Sequence, residues 1–151
     1  MTKKNLQSGE FGIIYPQFKD KPKEAIKHLK KTQSGECTKA LYRKDIGYID
    51  VVWGENDPKT HKGFGLKHII EKHGAEIKQL GFEVEDFIPI VVQFGELKKT
   101  NLPDRIALEG KMFRIIIAKK AYRNGKVLDK TFVLTSFDLR PTIKKNRQPK
   151  G

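Results

Sequence analysis

Apolar residues recur at helical spacing in three short segments, and they alternate or run together elsewhere, above all in the last third of the chain. In KPKEAIKHLKKTQSG, Ala25, Ile26 and Leu29 follow Pro22 in a first-turn position, and the segment meets Gly35, which predicts a helix with one modest apolar stripe. Its Lys27, Lys30 and Lys31 read as a solvated face. In GFGLKHIIEKHG, Leu66, Ile69, Ile70 and His73 fall at i, i+3, i+4 and i+7, a second helix with its stop at Gly74. A third is predicted in EDFIPIVVQFGEL, with Asp86 as its cap so that Pro89 falls in the first turn. The opening EFGIIYPQFKD holds Phe11, Ile13, Ile14, Tyr15 and Phe18 without a clean period, so an irregular packed arm is expected. CTKALYRKDIGYIDVVWGE reads as two strands around a turn near Asp45 to Gly47, and ENDPKTHKG as a loop.

From Pro103 onward the pattern becomes three strands, DRIAL, KMFRIIIAKKAY and KVLDKTFVLTSFDL. Asn124-Gly125 between the last two is a strong signal for a two-residue hairpin, and an unbroken ladder from it sets Arg114 opposite Thr135. A similar loop at Glu109-Gly110 sets Arg105 opposite Arg114. One face then carries Arg105, Arg114 and Thr135, and shifting the first turn by one residue pairs Arg105 with Ile116 while keeping both arginines on that face. The other face carries Ile106, Leu108, Phe113, Ile115, Ile117, Phe132 and Leu134, the side expected to pack on the helices. Two cations side by side on a sheet are destabilising unless an anion sits between them, and a phosphate is one such anion. The alternative is a pair of arginines that snorkel on a solvent-facing sheet.

At 151 residues the chain is the size of one domain, read here as residues 1–139 with a basic tail, RPTIKKNRQPKG, over 140–151. The net charge is +13 and unevenly spread: residues 1–54 are net +5, residues 55–109 net −2 and residues 110–151 net +10. The last third is thus a concentrated positive field, suited to nucleic acid or to an acidic protein inhibitor. The lone Cys37 excludes an intramolecular disulfide and a multi-cysteine zinc site. No run is apolar enough to cross a membrane, and MTKKNLQSGE lacks the apolar stretch of a secretory signal. A soluble chain is expected, exported only by other means or inside a larger protein.

Two histidines stand on the second predicted helix. His68 lies roughly 140° around the helix from His73, on a polar face with Glu71 and Lys72, where it is the better candidate for acid/base work. His73 starts on the core side, before Gly74, where a helix C-terminus favours an imidazolium. Their spacing does not suit the usual helical zinc motif, in which histidines at i and i+4 point the same way. A metal-dependent nuclease would have to recruit His61 from the preceding loop. The chain holds no Gly-rich phosphate loop and no serine nucleophile elbow.

In their order and spacing, LYRKDIGYIDVVWGE, GFGLKHIIEKHG, DRIALEGKMFRIIIAKK and TFVLTSFD resemble a family of endoribonuclease domains. These are the domains of phage and bacterial polymorphic toxins grouped with barnase, EndoU, colicin ribonucleases and RelE. The resemblance runs from Phe11 to Leu139. It implies an α+β fold, helices first and then a curved antiparallel sheet, with the active site across helix and sheet. It places the family's helix histidines at His68 and His73, its strand arginine at Arg105 and its final-strand threonine at Thr135. Arg114 joins them through the strand register. No glutamate here matches the base that barnase uses.

The activity so implied is a metal-independent endoribonuclease without a cofactor, leaving 2′,3′-cyclic phosphate and 5′-hydroxyl ends. Histidines titrate in the range that proton transfer needs, and arginines supply bidentate, preorganised charge for the phosphorane. The expected roles are His68 as base or acid, His73 as its partner or orienter, Arg105 with Arg114 as phosphate clamp, and Thr135 as a donor to a phosphate oxygen. Lys72, Lys119 and Ser136 are the expected substrate contacts. Expected partners are RNA, tRNA among the candidates, and a cognate acidic immunity protein or antitoxin; no membrane partner is expected. The expected place of action is the bacterial cytoplasm, with delivery as the C-terminal domain of a larger secreted or phage protein. The competing readings are a metal-dependent nuclease and a non-catalytic nucleic-acid-binding module in which Tyr122, Phe132 and Phe137 stack on bases.

Overall fold

A computed structural model describes residues 7–60 and 62–139. The basic tail and His61 lie outside the described residues. Pro22 opens α1 (Pro22–Thr32), whose Ala25, Ile26 and Leu29 are buried, and Gln33 in the left-handed region closes it ahead of Gly35. The lysine face is only partly solvated, since Lys30 pairs with Glu85 at 2.8 Å. The opening segment is not an irregular arm. It forms a small hairpin, β1 (Gln7–Gly9) with β2 (Gly12–Ile14), followed by a 3-10 turn at Pro16–Phe18. β2 is tied to β3 (Glu36–Arg43) through Ile14 and Glu36, and β3 pairs antiparallel with β4 (Gly47–Val52) around the expected turn.

The predicted loop after β4 is drawn together at its ends by a two-stranded ribbon, β5 (Glu55–Asn56) with β6 (Gly63–Phe64). The ribbon leads straight into α2 (Gly65–Gln79), which runs through Gly74 for more than a turn beyond it. An interior glycine costs about 1 kcal/mol against alanine, less than full burial of Ile77 in the following turn returns. Likewise α3 (Val84–Phe94) begins at Glu83, not at a cap on Asp86, which leaves Pro89 inside the helix. Burial of Val84, Phe87, Ile88, Val91 and Val92 outweighs the one backbone bond lost there.

Among the described residues the three α-helices pack with a mixed eight-stranded sheet of order β1-β2-β3-β4-β10-β9-β8-β7. The expectation of helices first and a purely antiparallel sheet is corrected on both points, because six strands, four of them in this sheet, precede α2 and because β10 (Lys126–Asp138) lies parallel to β4. Among the described residues those two strands meet at one pair, Phe132 and Asp50. α2 packs against β10, β4 and the β5–β6 ribbon. The remaining strands are β7 (Glu96–Lys99), β8 (Arg105–Glu109) and β9 (Phe113–Arg123).

The main core lies between the helices and one face of the sheet, with Ile26, Leu29, Ile69, Ile88, Ile115 and Ile117 fully buried. Cys37 belongs to it. Burial, then the nearby Glu36 and Asp50 carboxylates, push its thiol up to about 12, so it is packing material and not a nucleophile. A smaller cluster, Val52, Ala118, Ala121 and Phe132 with Phe11 and Phe64 against it, covers the other face. Next to it Lys130 reaches both Glu36 and Asp50, a largely buried ionic triad between β10 and the β3–β4 pair.

Candidate active site

The β9–β10 hairpin turns at Asn124 and Gly125, both with positive φ, as a two-residue loop requires. Its ladder then breaks twice, between Asp129 and Phe132 and between Val133 and Thr135. Each bulge adds one residue to β10 and turns the following side chains over. Phe132 and Leu134, expected on the helix-facing side, therefore join the smaller outer cluster, and Val133 takes the core position. The two shifts together move the register by an even number, so Arg114 lies opposite Phe137 and not Thr135, yet Thr135 keeps to its face. The β8–β9 turn also differs from expectation. Gly110 N–H donates to the Phe113 carbonyl at 2.8 Å, Glu109 pairs with Arg114, and Arg105 pairs with Ala118. This displacement too is even, and Arg105 remains on the face of Arg114.

That shared face is the floor of a cleft of about 520 Å³. Ala107, Ile116, Leu134 and Phe137 give it an apolar surface, Thr135 a hydroxyl, and Arg105 and Arg114 its strand cations. Lys98 and Lys99 of the edge strand β7 add two more. The anion expected between the arginines is in part supplied by the protein: Arg114 Nη2 donates to Glu109 Oε2 at 3.0 Å. Arg105 has no acidic partner among the described residues. Lys98 is also loosely paired, to Glu96 at 3.9 Å, so four cations against two carboxylates leave the cleft net positive.

The histidines stand beside it. His68 is 5% exposed and His73 7%, with ring centroids 6.0 Å apart and edge to face. The expectation of an exposed His68 is thus corrected. An isolated amphipathic helix would leave that face in water, but here the β5–β6 ribbon covers it, and His68 Nδ1 lies 2.8 Å from Asn56 Oδ1. His73 sits in mid-helix, not at a C-terminus, and its Nδ1–H donates to Glu76 Oε2 at 3.2 Å. Its Nε2 is buried with no hydrogen-bond partner among the described residues. Neither histidine lines the cleft. Phe137 joins the two places, since its ring lies 6.1 Å from that of His73 and is 41% exposed at the cleft wall.

Of the expected substrate contacts, Lys72 and Lys119 are exposed but outside the cleft lining. Ser136 is corrected outright, because alternation with Thr135 sets it opposite Ile115 on the core face, fully buried, with its Oγ unpartnered. Phe132, a stacking candidate in the binding-module reading, is buried as well. Tyr122 is exposed, but its hydroxyl donates to Asp104 Oδ2 at 2.7 Å, and that bond raises its pKa. Sequence reasoning missed Asn56, Glu76 and the partnership of Glu71, although HIIE and HGAE repeat a His-x-x-Glu spacing that sets each glutamate one turn from a histidine.

A fold of this kind, a basic cleft on a sheet face and a histidine pair against its last strand agree with one comparison. The family described as phage-Barnase-EndoU-ColicinE5/D-RelE like nuclease 1 (PBECR1) matches residues 40–142, which takes in β4, α2 and all four strands of the cleft. No curated protein and no solved structure matches the chain. The chain belongs to the phage-Barnase-EndoU-ColicinE5/D-RelE like nuclease 1 family.

Proposed function

We propose that this nuclease is a metal-independent endoribonuclease that cleaves RNA by attack of the 2′-hydroxyl on the adjacent phosphate. The observation that carries the reading is the convergence of Arg105, Arg114 and Thr135 in one cationic cleft whose wall, Phe137, packs on the histidine pair. Such chemistry needs a base for the 2′-hydroxyl, positive charge around the phosphorane and an acid for the 5′ oxygen. His68 and His73 serve the proton transfers, Arg105 is the open half of the clamp, Arg114 is the half already braced by Glu109, and Thr135 donates to a phosphate oxygen. The products are a 2′,3′-cyclic phosphate and a 5′-hydroxyl. A toxin of this kind acts on RNA in the bacterial cytoplasm and is held in check by an acidic immunity protein that competes for the same cleft.

A second reading, a nucleic-acid-binding module without catalysis, is favoured by one observation: both imidazoles are buried and outside the cleft lining. One experiment separates the two. The purified chain is incubated with total RNA and with duplex DNA in EDTA, and the ends of any products are analysed. Cyclic-phosphate ends from RNA alone are expected. Activity that EDTA abolishes would make the enzyme metal-dependent, and retention of RNA without cleavage, with magnesium or zinc added, would leave a binding module. A folded His68→Ala chain that cuts at the wild-type rate would remove His68 from the site.

A further inference from the structure

The contact between His68 and Asn56 has a direction that can be read from its neighbour. Asn56 Nδ2 donates to Glu71 Oε1 at 3.0 Å, while Asn56 Oδ1 lies 2.8 Å from His68 Nδ1. An ionised carboxylate only accepts, so Glu71 takes the NH2 end of the amide and leaves its oxygen facing the imidazole. An amide oxygen also only accepts, so the proton between them belongs to Nδ1. In the neutral ring the lone pair is then on Nε2.

We infer that Asn56, locked in orientation by Glu71, is a positioning residue that holds His68 in the Nδ1–H tautomer and so fits it to act as the base through Nε2. The inference rests on the reading of His68 as a proton-transfer group and divides the labour of the two histidines. The 2′-hydroxyl gives its proton to His68 Nε2 as its oxygen bonds to phosphorus. The bond from phosphorus to the 5′ oxygen breaks, and that oxygen takes a proton from a protonated His73. Asn56 keeps accepting from Nδ1–H throughout, so the imidazolium formed at His68 stays oriented.

The device is built into the backbone. His68 and Glu71 are one turn apart on α2, so a single helix presents both ends of the amide's partnership. Asn56 is held against that helix by the β5–β6 ribbon, in which it pairs with Gly63. The ribbon has no slack: a Cβ on Gly63 would come within 2.2 Å of the Glu55 carbonyl oxygen, and one on Gly54 within 2.0 Å of the Phe64 carbonyl oxygen. A side chain at either position would force the ribbon, and Asn56 with it, away from the first turn of α2.

Two readouts test the inference, and the first needs no activity. In the protein with 15N-labelled histidine, at alkaline pH, the Nε2 resonance should fall in the unprotonated range, and Asn56→Ala should shift it toward the protonated one. A protonated Nε2 in the wild-type chain overturns the inference whatever the enzyme cuts. In cleavage of RNA, Asn56→Ala should lower kcat roughly tenfold to a hundredfold with KM within about twofold, and should have no further effect in a His68→Ala background. The double variant Asn56→Asp with Glu71→Gln supplies an acceptor for Nδ1–H and a donor for that acceptor, so it should recover most of the loss. Wild-type kcat in a folded Asn56→Ala chain, or no recovery in the double variant, overturns the positioning role. If the tautomer is as stated but His68→Ala cleaves normally, the failure lies in the reading of His68 as a base.

Discussion

Arg105 and Arg114 share a face but not an environment. Arg114 is paired to Glu109, whose side chain is 21% exposed, while Arg105 meets no carboxylate among the described residues. Removing each should therefore do different things. Arg105→Ala is expected to lower kcat about a hundredfold, the scale of losing one preorganised donor to a developing oxyanion, with stability unchanged to within about 0.5 kcal/mol. Arg114→Ala should lower kcat and also cost about 1 kcal/mol of stability, because it strands a half-buried carboxylate beside the substrate. Urea midpoints and single-turnover cleavage on both variants check this, and a loss of stability in Arg105→Ala equal to that in Arg114→Ala would contradict it. The shared face was legible in the sequence because side chains alternate with a period of two, and the register errors at Arg105, Arg114 and Thr135 were even ones. Asn56 was not legible. Its partnership with His68 spans two elements, and nothing local to ENDPKTHKG marks it; only the two His-x-x-Glu spacings on α2 left a trace.

At the scale of elements, the same strand shows what a sequence conveys and what it hides. The Asn124-Gly125 turn of β9 and β10 was readable from turn chemistry, but the two bulges of β10 were not, since TFVLTSF is apolar on both parities and fits either face. β1, β2 and β7 went unread for a related reason: each is four residues or shorter and without alternation, and β1 and β7 are exposed throughout. The first bulge has a structural use. It falls at Lys130 and Thr131, and Lys130 runs to Glu36 and Asp50, next to the pair Phe132 and Asp50 that joins β10 to β4. Lys130→Met should cost about 3–5 kcal/mol, since it leaves two largely buried carboxylates without their counter-ion. Adding Glu36→Gln and Asp50→Asn should recover much of that loss, because the charges themselves are then gone. Equilibrium urea unfolding measures both, and a single variant as stable as wild type would mean that the triad does not hold the two parts of the sheet together.

For the whole molecule, the +13 charge is a poor guide to where a polyanion is held until the pairs are counted out. In the net +10 stretch, Arg114 is tied to Glu109, Lys120 to Asp129, Arg123 to Glu55 and Lys130 to Glu36 and Asp50. In the Lys120 pair the hydrogen bond between the two side chains holds the Asp129 carboxyl below its usual range and the Lys120 ammonium above its own. The cleft instead recruits Lys98, Lys99 and Arg105 from the stretch that is net −2, and of these Lys98 is held only loosely, by the exposed Glu96 at 3.9 Å. Charge summed along the sequence and charge gathered by folding thus point to different residues, and RNA binding should follow the second. For single strands the logarithm of the binding constant falls against the logarithm of salt concentration by about 0.7 per phosphate neutralised. With 2′-O-methyl RNA, which lacks the attacking hydroxyl, Lys98→Gln combined with Lys99→Gln should therefore reduce the slope by about 1.4. Lys120→Gln, which removes as much charge per substitution from the more basic stretch, should leave the slope nearly unchanged. If each lysine substitution flattened the slope equally, including the one paired to Asp129, the RNA would be responding to net charge and the cleft would not be where its phosphates lie.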